Sequence, residues 1–315
     1  MTTLSDRPYI AENDLELVTD LLLTYRAAGH VSRYPTVCRL QLLLSSRLWE
    51  PERDAHAWED SDGKLVGFAF LARRQRENVG SGMDLIIHPD LLNSLLPYEM
   101  LNWVEQRARE RANECQLALP ISVSTGSEEI WLVTTLTQHA FTLVDGHNLY
   151  MACPLDRPFP EPVLPAGFSI RTLKDEDDLE EYEQLFGFAT VNRQHRLELW
   201  ASPEYCHLVV VAPDGTFVAY YECSINKEEW ARSGQRSGWV DYIGTHSDYQ
   251  KRGLGKALLI AGHQQLQQWG IDTARLVTMD TNTTAQSVFK AAGFTPAERD
   301  YVYQKIISPL STTCA

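Results

Sequence analysis

Long apolar runs and paired cysteines are both missing from this 315-residue sequence. No window approaches 18 consecutive apolar residues, so we expect no transmembrane helix. The first twenty residues lack the basic and apolar regions of a signal peptide, and we expect a cytoplasmic protein. The six cysteines are scattered, with no C-x-x-C pair and no His/Cys cluster at metal-ligand spacing. This pattern predicts reduced thiols and no bound metal.

Positive charge is also scarce. The chain has 28 Lys and Arg residues against 42 Asp and Glu residues, which gives a formal net charge of −14. Such a balance argues against nucleic acid or an anionic membrane as the main partner. We expect a monomer or a homodimer that acts on a smaller molecule.

Prolines are concentrated in one segment, residues 153–167, "CPLDRPFPEPVLPAG". Its five prolines remove backbone donors, so neither a helix nor a central strand is expected there. The segment therefore predicts an extended linker between two halves. We predict a first domain at 1–153, a linker at 154–166, a second domain at 167–309 and a flexible tail at 310–315.

The two halves resemble each other. "DGKLVGFAF" at 62–70 matches "DGTFVAYYE" at 214–222, and each begins with a hairpin-type Asp-Gly turn. "HPD" at His88 matches "HSD" at His246, and "AFTLVDGHNLYM" from Ala140 matches "GFTPAERDYVYQ" from Gly293. The offsets of 152, 158 and 153 residues are similar and follow the same order, which indicates a duplicated domain.

The second half alternates strand-like and helix-like segments after an initial hairpin, which predicts an α/β or α+β domain with a mixed sheet. Between a strand and an apolar helix lies "QKRGLGKALL", residues 250–259. Glycines at a helix start let backbone N–H groups approach an anion, and three cations surround them here. A Walker loop would need glycine at Gln250 and Ser or Thr at Ala257, and a dinucleotide fingerprint would need glycine at Leu258.

A third phosphate-binding pattern fits. Gln250-x-x-Gly253-x-Gly255 resembles the acyl-CoA pyrophosphate loop of the GNAT superfamily of N-acyltransferases. The family's later segment N-x-x-A-x-x-x-[YF]-x-x-x-G-F is also matched here, by Asn282, Ala285, Phe289, Gly293 and Phe294. The resemblance implies two GNAT-like domains, each with a mixed, mostly antiparallel sheet flanked by helices.

The first half resembles the family more faintly. Aligning its His88 with His246 places Leu95, Leu96 and Pro97 where Gly253, Leu254 and Gly255 stand. Leucine side chains would block a pyrophosphate and proline removes a donor, so we expect a degenerate GNAT domain without a cofactor loop. The chain as a whole resembles tandem-GNAT proteins.

The resemblance implies transfer of the acetyl group of acetyl-CoA to a primary amine of a small-molecule or peptide acceptor, by direct attack on the thioester. The alternative is a non-catalytic acyl-CoA-binding or regulatory protein with the same fold. A backbone N–H near Thr245 would hold the developing oxyanion. By resemblance, the cofactor would contact Ile243, Gly244, Thr245, Gln250, Lys251, Arg252, Gly253, Leu254, Gly255, Lys256, Asn282, Ala285 and Phe289.

The candidates for general base are Glu222 and Asp241, on adjacent predicted strands, although both could instead be surface carboxylates. His246 is interpreted as a turn residue rather than a base. Asn282 could contact the cofactor, cap the following helix, or do both.

Many relatives have tyrosine as the general acid where this chain has Phe289. Tyr303 is our candidate for that role, with Tyr301 and Ser287 as other donors, and the alternative is that the thiolate leaves unassisted into solvent. Cys223 could form an acyl-enzyme, but no motif places a histidine near it. By resemblance, residues 191–206 are expected to line the acceptor cleft.

Overall fold

The computed structural model describes residues 4–30, 35–45, 50–73, 81–186 and 193–310. The chain folds into two compact units. The first unit contains Met1–Val31, Arg47–Asn148 and Arg299–Ala315, and the second contains Ser32–Ser46 and Leu149–Glu298. Among the described residues, no helix combines the length and the apolar character needed to span a membrane.

The chain contains both helices and strands. The helices are α1 (Ala11–Tyr25), α2 (Val37–Leu44), α3 (Pro51–Asp54), α4 (Leu96–Cys115), α5 (Ile130–Gln138), α6 (Glu176–Phe186), α7 (Arg193–Ala201), α8 (Lys227–Ser233), α9 (Leu254–Gln268) and α10 (Thr283–Ala291). The strands are β1 (Ser5–Pro8), β2 (Ala55–Glu59), β3 (Leu65–Arg73), β4 (Ser81–Ile87), β5 (Leu119–Thr125), β6 (Thr142–Pro154), β7 (Ser169–Arg171), β8 (Tyr205–Val211), β9 (Phe217–Ile225), β10 (Ser237–Thr245), β11 (Thr273–Met279) and β12 (Thr295–Ile307).

In the first unit the strand order is β1-β2-β3-β4-β5-β12. β4 and β5 pair in parallel, whereas β1 to β4 pair antiparallel in sequence and β12 pairs antiparallel with β5. Buried residues of α4, among them Met100, Leu101 and Val104, form a common core with Leu71 of β3 and Ile121 of β5. The apolar face of the long helix therefore holds the sheet of this unit.

In the second unit the order is β6-β11-β10-β9-β8-β7. β10 and β11 pair in parallel, and β7 to β10 pair antiparallel. Leu254, Leu258 and Leu266 of α9 form one core with Tyr221 and Cys223 of β9. The apolar spacing of α9 predicts this packing.

The neighbouring residues of β9 point to the opposite face of the sheet. There, Tyr182 of α6 packs with Val209 and Phe217, and Cys38 and Leu42 of α2 pack with Tyr205. The sheet of this unit is therefore covered on both faces.

The predicted fold class is confirmed, because each unit is a mixed, mostly antiparallel sheet flanked by helices. The predicted domain boundaries stay a prediction, and the compact units differ from them in two places. Residues 32–46 belong to the second unit, and Tyr301–Ile307 of β12 pair with β5 in the first. The predicted tail lies outside the described residues from position 311 onwards.

Candidate acyl-CoA site

The sheet of the second unit opens between β10 and β11. The two strands are in register only from Ser237 to Trp239 on β10, opposite Thr273 to Arg275 on β11. Beyond Trp239, β10 continues to Thr245 with β9 as its partner on one side only. Its backbone groups on the other edge have no strand partner in this fully described stretch, so an extended ligand could pair there.

A short loop connects this open edge to helix α9. The loop begins with a 3-10 turn, Ser247–Tyr249, and the Gln250 side-chain amide donates to the carbonyl of Thr245 over 3.2 Å. Lys251 and Gly253 have φ values of 61° and 83°, in the left-handed region. Glycine relieves the strain at the second of these positions, which is the N-cap of α9.

The first turn of α9 presents unpaired donors. Ala257 N–H bonds to the carbonyl of Gly253 at 3.0 Å, and Gly253 supplies no side-chain cap. The N–H groups of Leu254, Gly255 and Lys256 have no acceptor among the described residues. Together with the helix dipole, three such donors form an anion-binding position.

Two glycines near this position differ in what they accommodate. A Cβ on Gly244 would come within 2.4 Å of the ring of Tyr220, so a larger residue there would have to displace that ring. A Cβ on Gly255 would make only ordinary contacts, 3.5 Å to Val288 and 3.8 Å to Thr245. Nothing in the described unit therefore requires glycine at 255, which suits close approach by a ligand.

Three exposed cations surround the helix start. Arg252 donates to the carbonyl of Asp248 at 3.0 Å and lies over the ring of Tyr249, 4.8 Å from its centroid. Lys251 and Lys256 form no ion pair with a carboxylate in the described part of the chain. The positive charge of both lysines is available to an anionic ligand.

The Asn-helix segment has a structural role. The Asn282 side chain accepts from the N–H of Ala285 at 3.1 Å and so caps α10, which is one of the two roles predicted for it. Phe289 is only 6% exposed and packs edge-on against Phe294 in the core. The predicted cofactor contacts of Asn282, Ala285 and Phe289 stay predictions.

Asp241 lies in a β-bulge. Val240 pairs with Cys223 and Tyr242 pairs with Glu222, so Asp241 is an extra residue with no partner on β9. A bulge changes the direction of a side chain and is frequent beside active sites. Here it lets Asp241 interact with groups on the face of the sheet that α2 covers.

The carboxylate of Asp241 is sealed from solvent. Neither oxygen has a hydrogen-bond partner among the described residues, although the Ser224 and Thr36 hydroxyls lie near enough to lower its pKa. Burial raises the pKa of Asp241 to about 7; Ser224 opposes this rise, Glu222 adds to it, and Arg39 and Thr36 oppose it more weakly. A carboxyl group with this pKa changes charge near neutral pH, as a general base requires.

Glu222 is buried as well, but its oxygens are occupied. Tyr182 donates to Oε1 at 2.7 Å and Tyr205 to Oε2 at 2.5 Å. Arg196 Nη1 donates to both oxygens, at 2.8 and 3.1 Å. Burial and Glu222 together raise the pKa of both tyrosines well above the usual range, so both stay protonated donors. The surface interpretation is wrong for Glu222, which is 0% exposed.

The candidates for general acid do not lie together. Tyr303 packs against the core of the first unit and pairs with Val123, whereas Glu222 and Asp241 belong to the second unit. Tyr301, also in the first unit, is 38% exposed, and the Ser287 hydroxyl donates to the carbonyl of Thr283 at 2.8 Å. A catalytic role for Tyr303 stays a prediction.

His246 is a turn residue, as predicted, because its Nδ1 accepts from the N–H of Asp248 at 3.4 Å. Cys223 is 0% exposed in the core beside α9. Burial, followed by the effect of Cys206, raises the pKa of the Cys223 thiol well above its usual range. A protonated, buried thiol is a poor nucleophile.

Sequence reasoning missed the partners of the two carboxylates. Tyr182, Arg196 and Tyr205 are dispersed over α6, α7 and β8, and Arg39 lies about 200 positions before Asp241. No local motif marks them. Of the predicted acceptor-cleft residues 191–206, the first two lie outside the described residues, and the rest include Arg196 and Tyr205. Groups of three or more His, Cys, Asp or Glu suited to a metal are absent from the described residues.

Comparisons with known proteins identify relatives of this chain. The acetyltransferase (GNAT) family model matches residues 170–294. A mycothiol acetyltransferase from Streptomyces bingchenggensis is 30% identical over 254 residues, which cover 78% of this chain and 79% of that protein. Another, from Thermobispora bispora, is 28% identical over 167 residues; this match spans 49% of this chain and about half, 56%, of that protein.

The fold is also found in solved structures. A tandem GNAT protein from the clavulanic acid biosynthesis pathway superposes with a TM-score of 0.69 at 19% identity, covering 98% of this chain and 99% of that chain. At this identity the likeness concerns the fold alone, and it extends over both units of the chain. The chain belongs to the GNAT family of acetyltransferases, with a tandem GNAT fold, and is an acyltransferase of that family.

Proposed function

We propose that the chain is an N-acetyltransferase that moves the acetyl group of acetyl-CoA to a primary amine of a small-molecule or peptide acceptor. One observation carries this proposal: three unpaired N–H groups and three exposed cations meet beside an opened strand edge. An activated acyl thioester is what acetyl-CoA supplies to the reaction. A pyrophosphate is the anion that such a helix start suits best.

The residues present fit this co-substrate. Leu254, Gly255 and Lys256 N–H groups would hold the pyrophosphate, and Lys251 and Arg252 would add charge. The free edge of β10 from Ile243 to Thr245 would pair with the amides of the pantetheine arm. A backbone N–H near Thr245 would then stabilise negative charge on the thioester oxygen.

Asp241 is the general base in this proposal. An amine must lose its proton before it can attack, and a carboxylate with a pKa of about 7 is half ionised at neutral pH. Because both oxygens are buried, Asp241 accepts the proton through one bridging water or once the bound acceptor displaces a neighbour. Glu222 is assigned no proton transfer, because four hydrogen bonds already occupy its oxygens.

Direct attack by the amine is favoured over an acyl-enzyme, because the Cys223 thiol is buried and protonated. The acceptor of the mycothiol acetyltransferases is the first amine to test, given the 30% identity of one of them. A cytoplasmic location, a monomeric or dimeric state and the absence of nucleic-acid partners remain predictions.

A thiol-release assay with acetyl-CoA and a panel of amines tests the proposal. Asp241→Asn should lower kcat/KM about 100-fold or more while acetyl-CoA still binds. Asp272→Asn is the matched control, because Asp272 lies in an exposed pair with Arg236. Wild-type activity in Asp241→Asn would exclude Asp241 as the base, and failure of acetyl-CoA to bind the wild type at high micromolar concentration would exclude the proposed function.

A further inference from the structure

Helix α2 comes from the first half of the sequence but is part of the second unit. Residues 32–46 cluster with the second unit, and Cys38 and Leu42 pack against Tyr205 of β8. Thr36 caps α2 by accepting from the N–H of Arg39 at 3.1 Å. The cap fixes the first turn of α2 beside the bulge that carries Asp241.

Arg39 lies next to that bulge. Its guanidinium carbon is 4.9 Å from the centroid of the Tyr242 ring, and Tyr242 directly follows Asp241. The side chain is partly exposed, whereas Thr36 and Cys38 beside it are buried. An arginine in this position can act on Asp241 without being part of the core.

Among the described residues, titratable or charged side chains of α2, β8 and β9 act electrostatically on Asp241. They are Cys38, Arg39, Tyr205, Tyr221, Glu222 and Cys223. Burial raises the pKa of the two cysteines and the two tyrosines well above the usual range, so these four are uncharged near neutral pH. Of the six side chains named here, Arg39 and Glu222 are charged and have opposite signs, and Arg196 is bonded to Glu222.

We infer that Arg39 and Glu222 are opposed positioning residues that together set the charge of Asp241. Arg39 stabilises the carboxylate, whereas Glu222, held on the next strand by Arg196, stabilises the neutral acid. Neither residue is assigned a contact with substrate. This inference rests on the proposed role of Asp241 as the base, and it gives helix α2 a part in catalysis.

Opposite signs make the inference testable. If Asp241 is the base, kcat/KM rises with pH as Asp241 loses its proton. Removing the cation in Arg39→Met should move this rise to higher pH by up to about one unit, since Arg39 lowers the pKa of Asp241 less than Ser224 does. Removing the anion in Glu222→Gln should move it to lower pH by a similar amount. Arg39→Lys keeps the charge and should restore the wild-type profile.

Glu222→Gln keeps one acceptor oxygen, for Tyr182 or for Tyr205, and its NH2 group then faces the other tyrosine. The substitution also weakens the pair with Arg196, so a variant that fails to fold is one outcome. The Arg39 variants keep the inference testable in that case. A role of Arg39 in packing alone, on the ring of Tyr242, would lower kcat at every pH without a shift of the profile. That outcome, or shifts of the same sign in both variants, would overturn the inference.

A second readout separates this inference from the proposed function. The charge of Asp241 can be followed without an activity assay. The unfolding midpoint is measured against pH for a protein with Asp241 and for the same protein with Asp241→Asn, and the second curve is subtracted from the first. If this difference curve shifts in Arg39→Met and Glu222→Gln as expected but Asp241→Asn remains active, the proposed base is wrong and the charge tuning stands. If Asp241→Asn is inactive and neither curve shifts, the base stands and the tuning fails.

Discussion

The starts of α4 and α9 occupy matching places in the two units, and they differ in what they offer a ligand. At α9 the first three N–H groups have no acceptor among the described residues. At α4 the N–H of Leu96 bonds to the Ser94 hydroxyl at 3.1 Å, Pro97 has none, and the N–H of Tyr98 bonds to the carbonyl of Leu95 at 3.1 Å. The first helix satisfies its own donors, and the second leaves them available for an anion.

The strands before these helices also differ. β3 and β4 pair without interruption from Gly67 opposite Ile87 to Arg73 opposite Ser81. The corresponding pairing of β9 with β10 contains the bulge at Asp241, and Phe70 stands where Glu222 stands in the second unit. In its described residues, the first unit thus has neither a bulge residue and a charged neighbour at these positions nor an open helix start.

Other details are shared by both units. His88 and His246 each accept from an N–H two residues later at 3.4 Å, and their own N–H groups donate to Val66 and Val218. Arg7 with Asp14 and Arg171 with Asp178 form the same two-bond pair, at 2.7 Å and 2.6 Å. Contacts that stabilise the fold are therefore present in both units. Among the described residues, the bulge, its charged neighbour and the unpaired N–H groups of the helix start are found in the second unit alone.

The largest expected effect separates stability from activity at Asp241. Its folded pKa of about 7 lies above the unfolded value of 3.8, so the wild type should lose stability as the pH rises from about 4 to about 7. Asp241→Asn removes this loss and should be more stable than the wild type at pH 8, by up to about 4 kcal/mol, although it is inactive. Urea unfolding at pH 5 and pH 8 measures the difference; equal stability of both proteins at both pH values would contradict it.

Breaking the buried pair should be the next largest effect. Arg196→Met leaves the Glu222 carboxylate without its cation and should lower the free energy of unfolding by about 3 kcal/mol. The double variant Arg196→Met with Glu222→Leu removes both charges, as in the first unit with its Phe70, and should recover most of that loss. Urea denaturation measures both, and a double variant no more stable than the single one would be the opposite result.

A smaller effect is expected from Gly255→Ala. The methyl group fits within the unit but meets the approaching ligand, so the Kd for acetyl-CoA should rise about tenfold, or about 1.4 kcal/mol. The melting temperature should stay the same or rise, because alanine favours a helix over glycine. Leu95→Gly in the first unit is the matched control and should leave binding unchanged. An unchanged Kd for acetyl-CoA in Gly255→Ala would show that the pyrophosphate does not bind at this helix start.

The smallest effects concern the shared Arg–Asp pairs. Arg7→Met and Arg171→Met should each lower the free energy of unfolding by about 1 kcal/mol, because both arginines are partly exposed and hold equivalent carboxylates. Chemical denaturation of the two variants provides the comparison. A large loss in one unit with none in the other would show that the shared geometry has different roles.

The fold of each unit and the glycine loop before α9 could be predicted from the sequence. Both depend on local patterns, such as the glycines at 253 and 255. Asp241 and Glu222 could both be predicted as candidate general bases, but the sequence could not show which of the two has free oxygens. Their difference comes from a one-residue bulge and from tyrosines and an arginine 17 to 40 positions away from Glu222. Long-range pairing also explains why the assignment of residues 32–46 and of the last strand could not be predicted from local pattern.

The stoichiometry of acetyl-CoA binding tests the central claim most directly, namely that the second unit holds the acyl-CoA site and the first unit does not. Isothermal titration calorimetry should give one site per chain in the wild type, weakened by Gly255→Ala. The double variant Leu95→Gly with Pro97→Gly should still give one site, since the first unit also lacks the neighbouring cations. Two sites per wild-type chain, or one site that Gly255→Ala leaves untouched, would contradict the account.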